Sequence, residues 1–338
     1  MSKRPLDAFF TSSTSSSKKL KESTASEPRT TERNDDIDDG KAPNENAQKH
    51  PSYPFPIAQL PSRISVGLEF ATPGRQARTI ANQPHLDLLY YEPYIPQPTA
   101  KQYFQFLRSE LPFYRVKYTM KRGPTETLIS TPRFTTVFGV DITSYFSAAE
   151  NQDDHEYRKL LDSKTHQPIA KDKYKCTPRP IPACLDLLRK QVEAALDDGT
   201  SYNFVLVNYY ASGDDSISYH SDDERFLGTN PSIASLTLGA KRDFLMKHKS
   251  AAAGAVVEKP LKLPLASGDM IVMRGETQSN WLHSVPKRKG GEAGSGRINI
   301  TLRKAVVPGG TENYYRYNVG DGGIYRWDNG KKEMLLAD

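Results

Sequence analysis

The sequence is short of the features that mark several broad classes. Its 338 residues include two cysteines, Cys176 and Cys184. These are too few for a disulfide framework or a Cys-rich zinc site, and both are read as reduced, in a reducing compartment. There is no apolar run of about 18 residues and no charged-then-apolar opening segment. The expectation is therefore a soluble intracellular protein, monomeric and with no membrane partner. No internal repeat is visible. Charge of one sign is scarce too: 46 Lys and Arg stand against 40 Asp and Glu, a net charge of +6. Residues 1–50 contain nine of each sign, so the excess falls on the remainder. A mildly basic folded part suits phosphate contacts.

Residues 1–50 are also poor in apolar side chains and carry a Ser/Thr run at Thr11 to Ser17 and an acidic cluster at Asp35 to Asp39. Such a segment cannot build a core and is expected to be a disordered tail. One apolar cluster stands out in it, Leu6, Phe9 and Phe10, within Lys-Arg-Pro-Leu-Asp-Ala-Phe-Phe. It resembles the motif by which repair and replication proteins dock on the sliding clamp PCNA, with Lys3 where that motif has Gln. Lys18, Lys19 and Lys21 suit nuclear import, so the nucleus is the expected location.

Residues 51 to about 98 are Pro-rich and yield no assigned element. Tyr103, Phe104, Leu107 and Leu111 recur at helical spacing. Pro182 fits the first turn of a second helix with the apolar stripe Leu185, Leu188, Val192 and Leu196. From residue 202 the pattern becomes short β-type runs: Tyr202 to Tyr210, Ile233 to Leu238, Asp243 to His248, Met270 to Met273 and Ile298 to Leu302. Gly213, Gly239 and Gly268 punctuate them. The predicted class is α+β, antiparallel strands in a sandwich or barrel behind supporting N-terminal helices. The aromatic, Gly-rich segment Asn313 to Asp338 receives no assignment.

Two His-x-Asp triplets occur, His85-Leu86-Asp87 and His220-Ser221-Asp222. The first is Pro-flanked and has no matching ligand set. The second follows a strong strand, and in extended backbone alternate side chains share a side, so His220 and Asp222 can face one ion. His283, in Asn-Trp-Leu-His-Ser-Val-Pro, supplies a third ligand. Two His and a carboxylate with open positions describe the facial triad of non-haem Fe(II) oxygenases, and a catalytic zinc site is the nearest competitor. His50, His155, His166 and His248 are read as structural. In Arg297-Ile-Asn-Ile-Thr-Leu-Arg303, period two places Arg297, Asn299, Thr301 and Arg303 on one strand face. Two inward guanidinium groups call for an anion, and a dicarboxylate co-substrate supplies one; this favours iron over a zinc hydrolase.

Asn208-Tyr-Tyr210, His220-Ser-Asp-Asp-Glu224, Pro231-Ser-Ile-Ala-Ser to Arg242-Asp-Phe, His283-Ser-Val-Pro and Arg297 to Arg303 together resemble the AlkB family of Fe(II)- and 2-oxoglutarate-dependent dioxygenases, especially its DNA-repair branch. The resemblance implies a double-stranded β-helix (jelly-roll) core. It also implies Fe(II) on His220, Asp222 and His283, with 2-oxoglutarate on Asn208, Tyr210, Arg297, Thr301 and Arg303, Asn299 beside them, and O2 as second co-substrate. Asp223 would contact the target base, with Glu224 nearby. Arg115 to Met120 lies where repair members carry a DNA-intruding hairpin, and Tyr118 or Met120 would stand in for its apolar wedge. The implied activity is oxidative demethylation of N1-methyladenine and N3-methylcytosine in alkylated DNA, with release of formaldehyde. Two alternatives are a related oxygenase acting on methylated RNA or protein, and an inactive clamp-tethered nucleic-acid-binding module. The expected organisation is a tail over 1–50, the dioxygenase domain over 51–310, and an extension of unknown role over 311–338.

Overall fold

The strand periodicities are realised as two large antiparallel sheets, with two separate two-stranded hairpins beside them, in a computed structural model that describes residues 47–69, 76–148, 158–249, 259–320 and 322–337. Leu6, Phe9 and Phe10 lie outside the described residues. The larger sheet has ten strands in the order Arg78–Ile80, Leu88–Tyr91, Met270–Met273, Ile233–Gly239, Arg297–Arg303, Phe204–Tyr210, Phe134–Gly139, Phe113–Tyr114, Ile324–Asp328 and Glu333–Leu336. The smaller sheet runs Ile217–His220, Trp281–Val285, Arg242–His248 and Leu261–Leu265. This is the expected α+β jelly-roll arrangement of antiparallel strands.

Alternation along the central strands separates two cores. Val205, Val207, Tyr209, Ile298, Ile300 and Leu302 pack on one face of the large sheet with Tyr103, Leu107, Leu185, Leu188 and Val192. Those last five come from helices Gln97–Glu110 and Ala183–Leu196. The other face sends Phe204, Leu206, Ile233 and Ile271 into a second core with Phe244, Met246, Trp281 and Val285 of the small sheet. Burying each such side chain contributes roughly 1.5–3 kcal/mol. The pleat sends successive residues to opposite faces, and both faces are apolar because the sheet is sandwiched, helices on one side and small sheet on the other.

The predicted helices are present, with one shift: Pro182 is the residue before the second helix rather than in its first turn. Its carbonyl accepts the N–H of Leu185 and of Asp186, both at 2.9 Å. The Tyr202 run becomes a strand only at Phe204, because the Tyr202 N–H is drawn to Glu193 Oε1 at 2.6 Å. The unassigned Pro-rich region holds helix Ser62–Glu69 and two strands at the edge of the large sheet. Gly239 ends its strand at φ +83°, where a Cβ would meet the Gly296 carbonyl and the Phe104 ring, so glycine is required.

The compact unit spans Ala47–Asp338. The segment set apart in the sequence as an extension forms helix Glu312–Asn318 and the hairpin Ile324–Asp328/Glu333–Leu336, which adds two strands to the large sheet beside Phe113–Tyr114. Among the described residues, no helix is long and apolar enough to cross a membrane.

Candidate metal and co-substrate site

His220 ends the first strand of the small sheet, directly opposite His283 on the neighbouring strand, after a register shift that begins beyond Ile217. The two imidazole rings lie 4.2 Å apart. Asp222 follows in the loop, and its two carboxylate oxygens stand 4.0 Å from His220 Nε2 and 4.0 Å from His283 Nε2. The three ligand atoms lie within 4.8 Å of one another, and this is the one such group of three or more among the described residues. The Ser218 carbonyl lies 2.9 Å from His220 Nδ1, which fixes the tautomer and leaves Nε2 a lone pair. The His283 ring stacks on Phe244 at 5.2 Å. The main-chain N–H of Asp222 donates to Gln278 Oε1 at 2.9 Å, so the short helix Thr277–Asn280 anchors the loop.

Electrostatics favours ligation. Burial, joined by His220, pushes His283 down to about 3, so it is neutral at physiological pH. Burial also lowers His220, against the pull of Asp222. Burial would raise the Asp222 carboxyl, but Arg303 and the two histidines hold it below the ordinary carboxylate range. The group is therefore two neutral imidazoles and one carboxylate, the protonation states that a divalent ion needs. His85 and Asp87 sit elsewhere and pair with Glu276 at 2.6 Å and Arg274 at 3.0 Å.

Beside the triad lies the strand Arg297–Arg303, with Arg297 1% and Arg303 2% exposed. Arg297 donates to Thr237 Oγ1 at 2.8 Å and packs over the Tyr210 ring at 5.3 Å, yet its Nε and Nη1 have no partner. Arg303 donates to Asp222 Oδ2 at 2.9 Å and likewise keeps Nε and Nη1 without a partner. Four buried guanidinium donors without acceptors are costly unless an anion occupies the space. A dicarboxylate fits that requirement, with Tyr210 beside Arg297 and Arg303 beside the metal ligands. Asn299 and Thr301 are already engaged: Asn299 donates to Ser235 Oγ and the Leu236 carbonyl, and Thr301 to the Leu206 carbonyl. Both line the site and shape it through the sheet. Asn208 accepts from Arg133 Nε at 2.8 Å.

The substrate-side residues are placed unevenly. Asp223 is ion-paired to Lys249 at 2.6 Å, and Lys249 also donates to the Gln278 carbonyl, so its carboxylate is partly neutralised. Glu224 accepts from the Tyr314 hydroxyl at 2.7 Å through Oε1, while its buried Oε2 has no partner. Tyr118 and Met120 lie on the separate hairpin Lys117–Arg122/Thr125–Ser130. Arg115 at its base pairs with Asp215 at 2.8 Å. At 66% exposure, Leu128 on this hairpin is the most exposed large apolar side chain among the described residues.

Sequence reasoning missed Arg133, Lys249, Gln278, Leu128 and Tyr314. None sits in a local pattern that signals a site. Arg133, Lys249, Gln278 and Tyr314 each acquire a role from a contact across many residues of chain, as between Arg133 and Asn208 or Tyr314 and Glu224, and Leu128 is marked only by its exposure.

A sequence model of the 2OG-Fe(II) oxygenase superfamily matches residues 87–303, which contain the whole triad and both arginines. The human DNA oxidative demethylase ALKBH2 is 37% identical over 133 residues, 39% of this chain and 49% of that protein. The bovine alpha-ketoglutarate-dependent dioxygenase alkB homolog 3 is 40% identical over 121 residues, 35% of this chain and 41% of that protein. The Arabidopsis thaliana DNA oxidative demethylase ALKBH2 is 36% identical over 141 residues, 37% and 43% of the two chains. The chain thus spans about half the length of the curated relatives it matches, and these bear out the AlkB resemblance. With two histidines and an aspartate converging, two arginines with unpaired guanidinium nitrogens beside them and a family match over most of the described fold, the chain belongs to the 2OG-Fe(II) oxygenase superfamily.

Proposed function

We propose that this protein is a dioxygenase that removes N-methyl groups from N1-methyladenine and N3-methylcytosine in DNA. The single observation that carries the reading is the buried constellation of His220, Asp222 and His283 against Arg303 and Arg297, each of which keeps Nε and Nη1 without an acceptor. His220, Asp222 and His283 hold Fe(II), and Arg297, Tyr210 and Arg303 hold 2-oxoglutarate. When bound, these groups supply the oxidising power to insert one oxygen atom of O2 into a methyl C–H bond, with succinate and CO2 as by-products. The resulting hydroxymethyl amine collapses to formaldehyde and the unmodified base. The DNA substrate is supported by the similarity to the human and Arabidopsis thaliana ALKBH2 proteins, which are DNA oxidative demethylases.

The chain's own residues account for positioning. Arg303 keeps Asp222 ionised and oriented. Phe244 stacks on His283 and shields the ring from water. Glu224 offers Oε2 to a base amino group. An N-methyl group on the Watson-Crick edge blocks pairing, which lowers the cost of turning the base out of the duplex. An apolar side chain of the hairpin, Tyr118, Met120 or the exposed Leu128, fills the space the base leaves.

The deciding assay is formaldehyde release from oligonucleotides carrying N1-methyladenine or N3-methylcytosine, with Fe(II), ascorbate and 2-oxoglutarate, for wild type and His220→Ala. Release by wild type and its loss in the variant are expected. Succinate without formaldehyde would retain the oxygenase and reject these bases. Nuclear location and docking on the clamp through Leu6, Phe9 and Phe10 belong to the same reading. Phe9→Ala combined with Phe10→Ala should abolish clamp binding and leave turnover on short oligonucleotides unchanged.

A further inference from the structure

The segment following residue 310 adds a side chain to the pocket. Tyr314, on helix Glu312–Asn318, donates its hydroxyl to Glu224 Oε1 at 2.7 Å. Its ring lies under the Arg303 guanidinium at 4.9 Å, and Arg303 in turn holds Asp222 at 2.9 Å. The same ring packs against Phe226 at 5.2 Å and edge-on to Phe204 at 5.6 Å. One phenol thus touches both the base-side carboxylate and the arginine that orients a metal ligand.

The helix that carries it is fastened at several points. The Tyr315 hydroxyl donates to the Gly139 carbonyl and accepts the Arg179 N–H, each at 2.8 Å. The Asn318 carbonyl accepts from Thr135 Oγ1 at 2.8 Å. These anchors tie the helix to the strand Phe134–Gly139 and fix where Tyr314 enters. A phenol O–H on a carboxylate is a charge-assisted bond, stronger than a neutral one, and it favours the ionised form against the burial and the Asp222 charge that push the Glu224 carboxyl up to about 7. It holds one Glu224 oxygen and leaves the other, Oε2, buried with no donor.

We propose that Tyr314 is a positioning residue of the substrate pocket, holding Glu224 so that its free oxygen selects a base presenting an exocyclic amino group. This rests on the nucleic-acid reading above. Methylated cytosine and adenine present an N–H donor at that edge, whereas N3-methylthymine presents a carbonyl, an acceptor set against an acceptor. With the hydroxyl removed, the carboxylate is free to turn and the discrimination falls.

The test uses the full chain loaded with Fe(II) and 2-oxoglutarate without oxygen, so that binding is read without turnover. Fluorescence anisotropy compares single-stranded oligonucleotides carrying one N3-methylcytosine or one N3-methylthymine. Wild type should prefer the methylcytosine strand. Tyr314→Phe should lose about tenfold of that preference, the usual strength of a hydrogen bond to a charged group, with 2-oxoglutarate affinity unchanged. Glu224→Gln should lose a similar factor, and the double variant no more than either single one. Tyr317→Phe, at an exposed position on the same helix, should match wild type. A Tyr314→Phe preference equal to wild type, or losses that multiply in the double variant, would overturn the proposal. A wild type that does not distinguish the strands would instead sink the substrate reading, and this proposal with it.

Discussion

At the residue scale, burial of charge explains most of the site. Arg297 is enclosed with two nitrogens unanswered, so its charge is better satisfied with a co-substrate carboxylate than without. Burial also pushes its guanidinium down to about 10. Binding to the folded state alone stabilises it by about 2.7 kcal/mol at a hundredfold excess over Kd. Addition of 2-oxoglutarate should therefore raise Tm by several degrees in calorimetry, and Arg297→Ala should abolish most of that rise. Losing one partner of a buried charge pair costs about 2–5 kcal/mol, so 2-oxoglutarate affinity in the variant should fall roughly 30-fold or more. An unchanged Tm response would remove Arg297 from the co-substrate site. His220→Ala should separately abolish tight binding of Fe(II), read by metal content after dialysis.

At the scale of the element, one strand serves two purposes. Along Arg297–Arg303 the even positions pack against helices and the odd positions face the site. Ile300→Ala should cost about 2–5 kcal/mol in denaturant unfolding, while 2-oxoglutarate affinity in the remaining folded protein stays near wild type. Gly239→Ala strains a φ of +83° and drives a methyl group toward the Gly296 carbonyl. It should destabilise by roughly 1–3 kcal/mol. The alternation of this strand was legible in the sequence because period two needs only neighbouring residues. The same is true of the stripes Leu185–Leu188–Val192 and Tyr103–Leu107. The helix and strands between residues 62 and 91 were not legible, since they are short, flanked by prolines and formed only against partners distant in sequence.

At the scale of the whole molecule, the hairpin Lys117–Arg122/Thr125–Ser130 is a sheet of its own, exposed over most of its length. Replacing residues 117–130 by a short turn should lower affinity for methylated duplex DNA and leave 2-oxoglutarate affinity intact. Equal loss of both would show the hairpin supports the fold instead. The mildly basic balance of the folded part also predicts binding that weakens with salt, in proportion to the phosphates contacted.

What the sequence determined by itself was the ligand chemistry: the residue types at 220, 222 and 283, the two arginines six positions apart on one strand face, and the apolar stripes of two helices. These are local patterns, set by the repeat of strand and helix. Only the tertiary structure decided that His283 stands opposite His220, that Lys249 neutralises Asp223 and Arg133 reaches Asn208, and that a tyrosine from the last segment closes on Glu224. Those contacts join residues far apart in the chain, and their formation depends on how the two sheets and the C-terminal helix pack, which no local periodicity encodes.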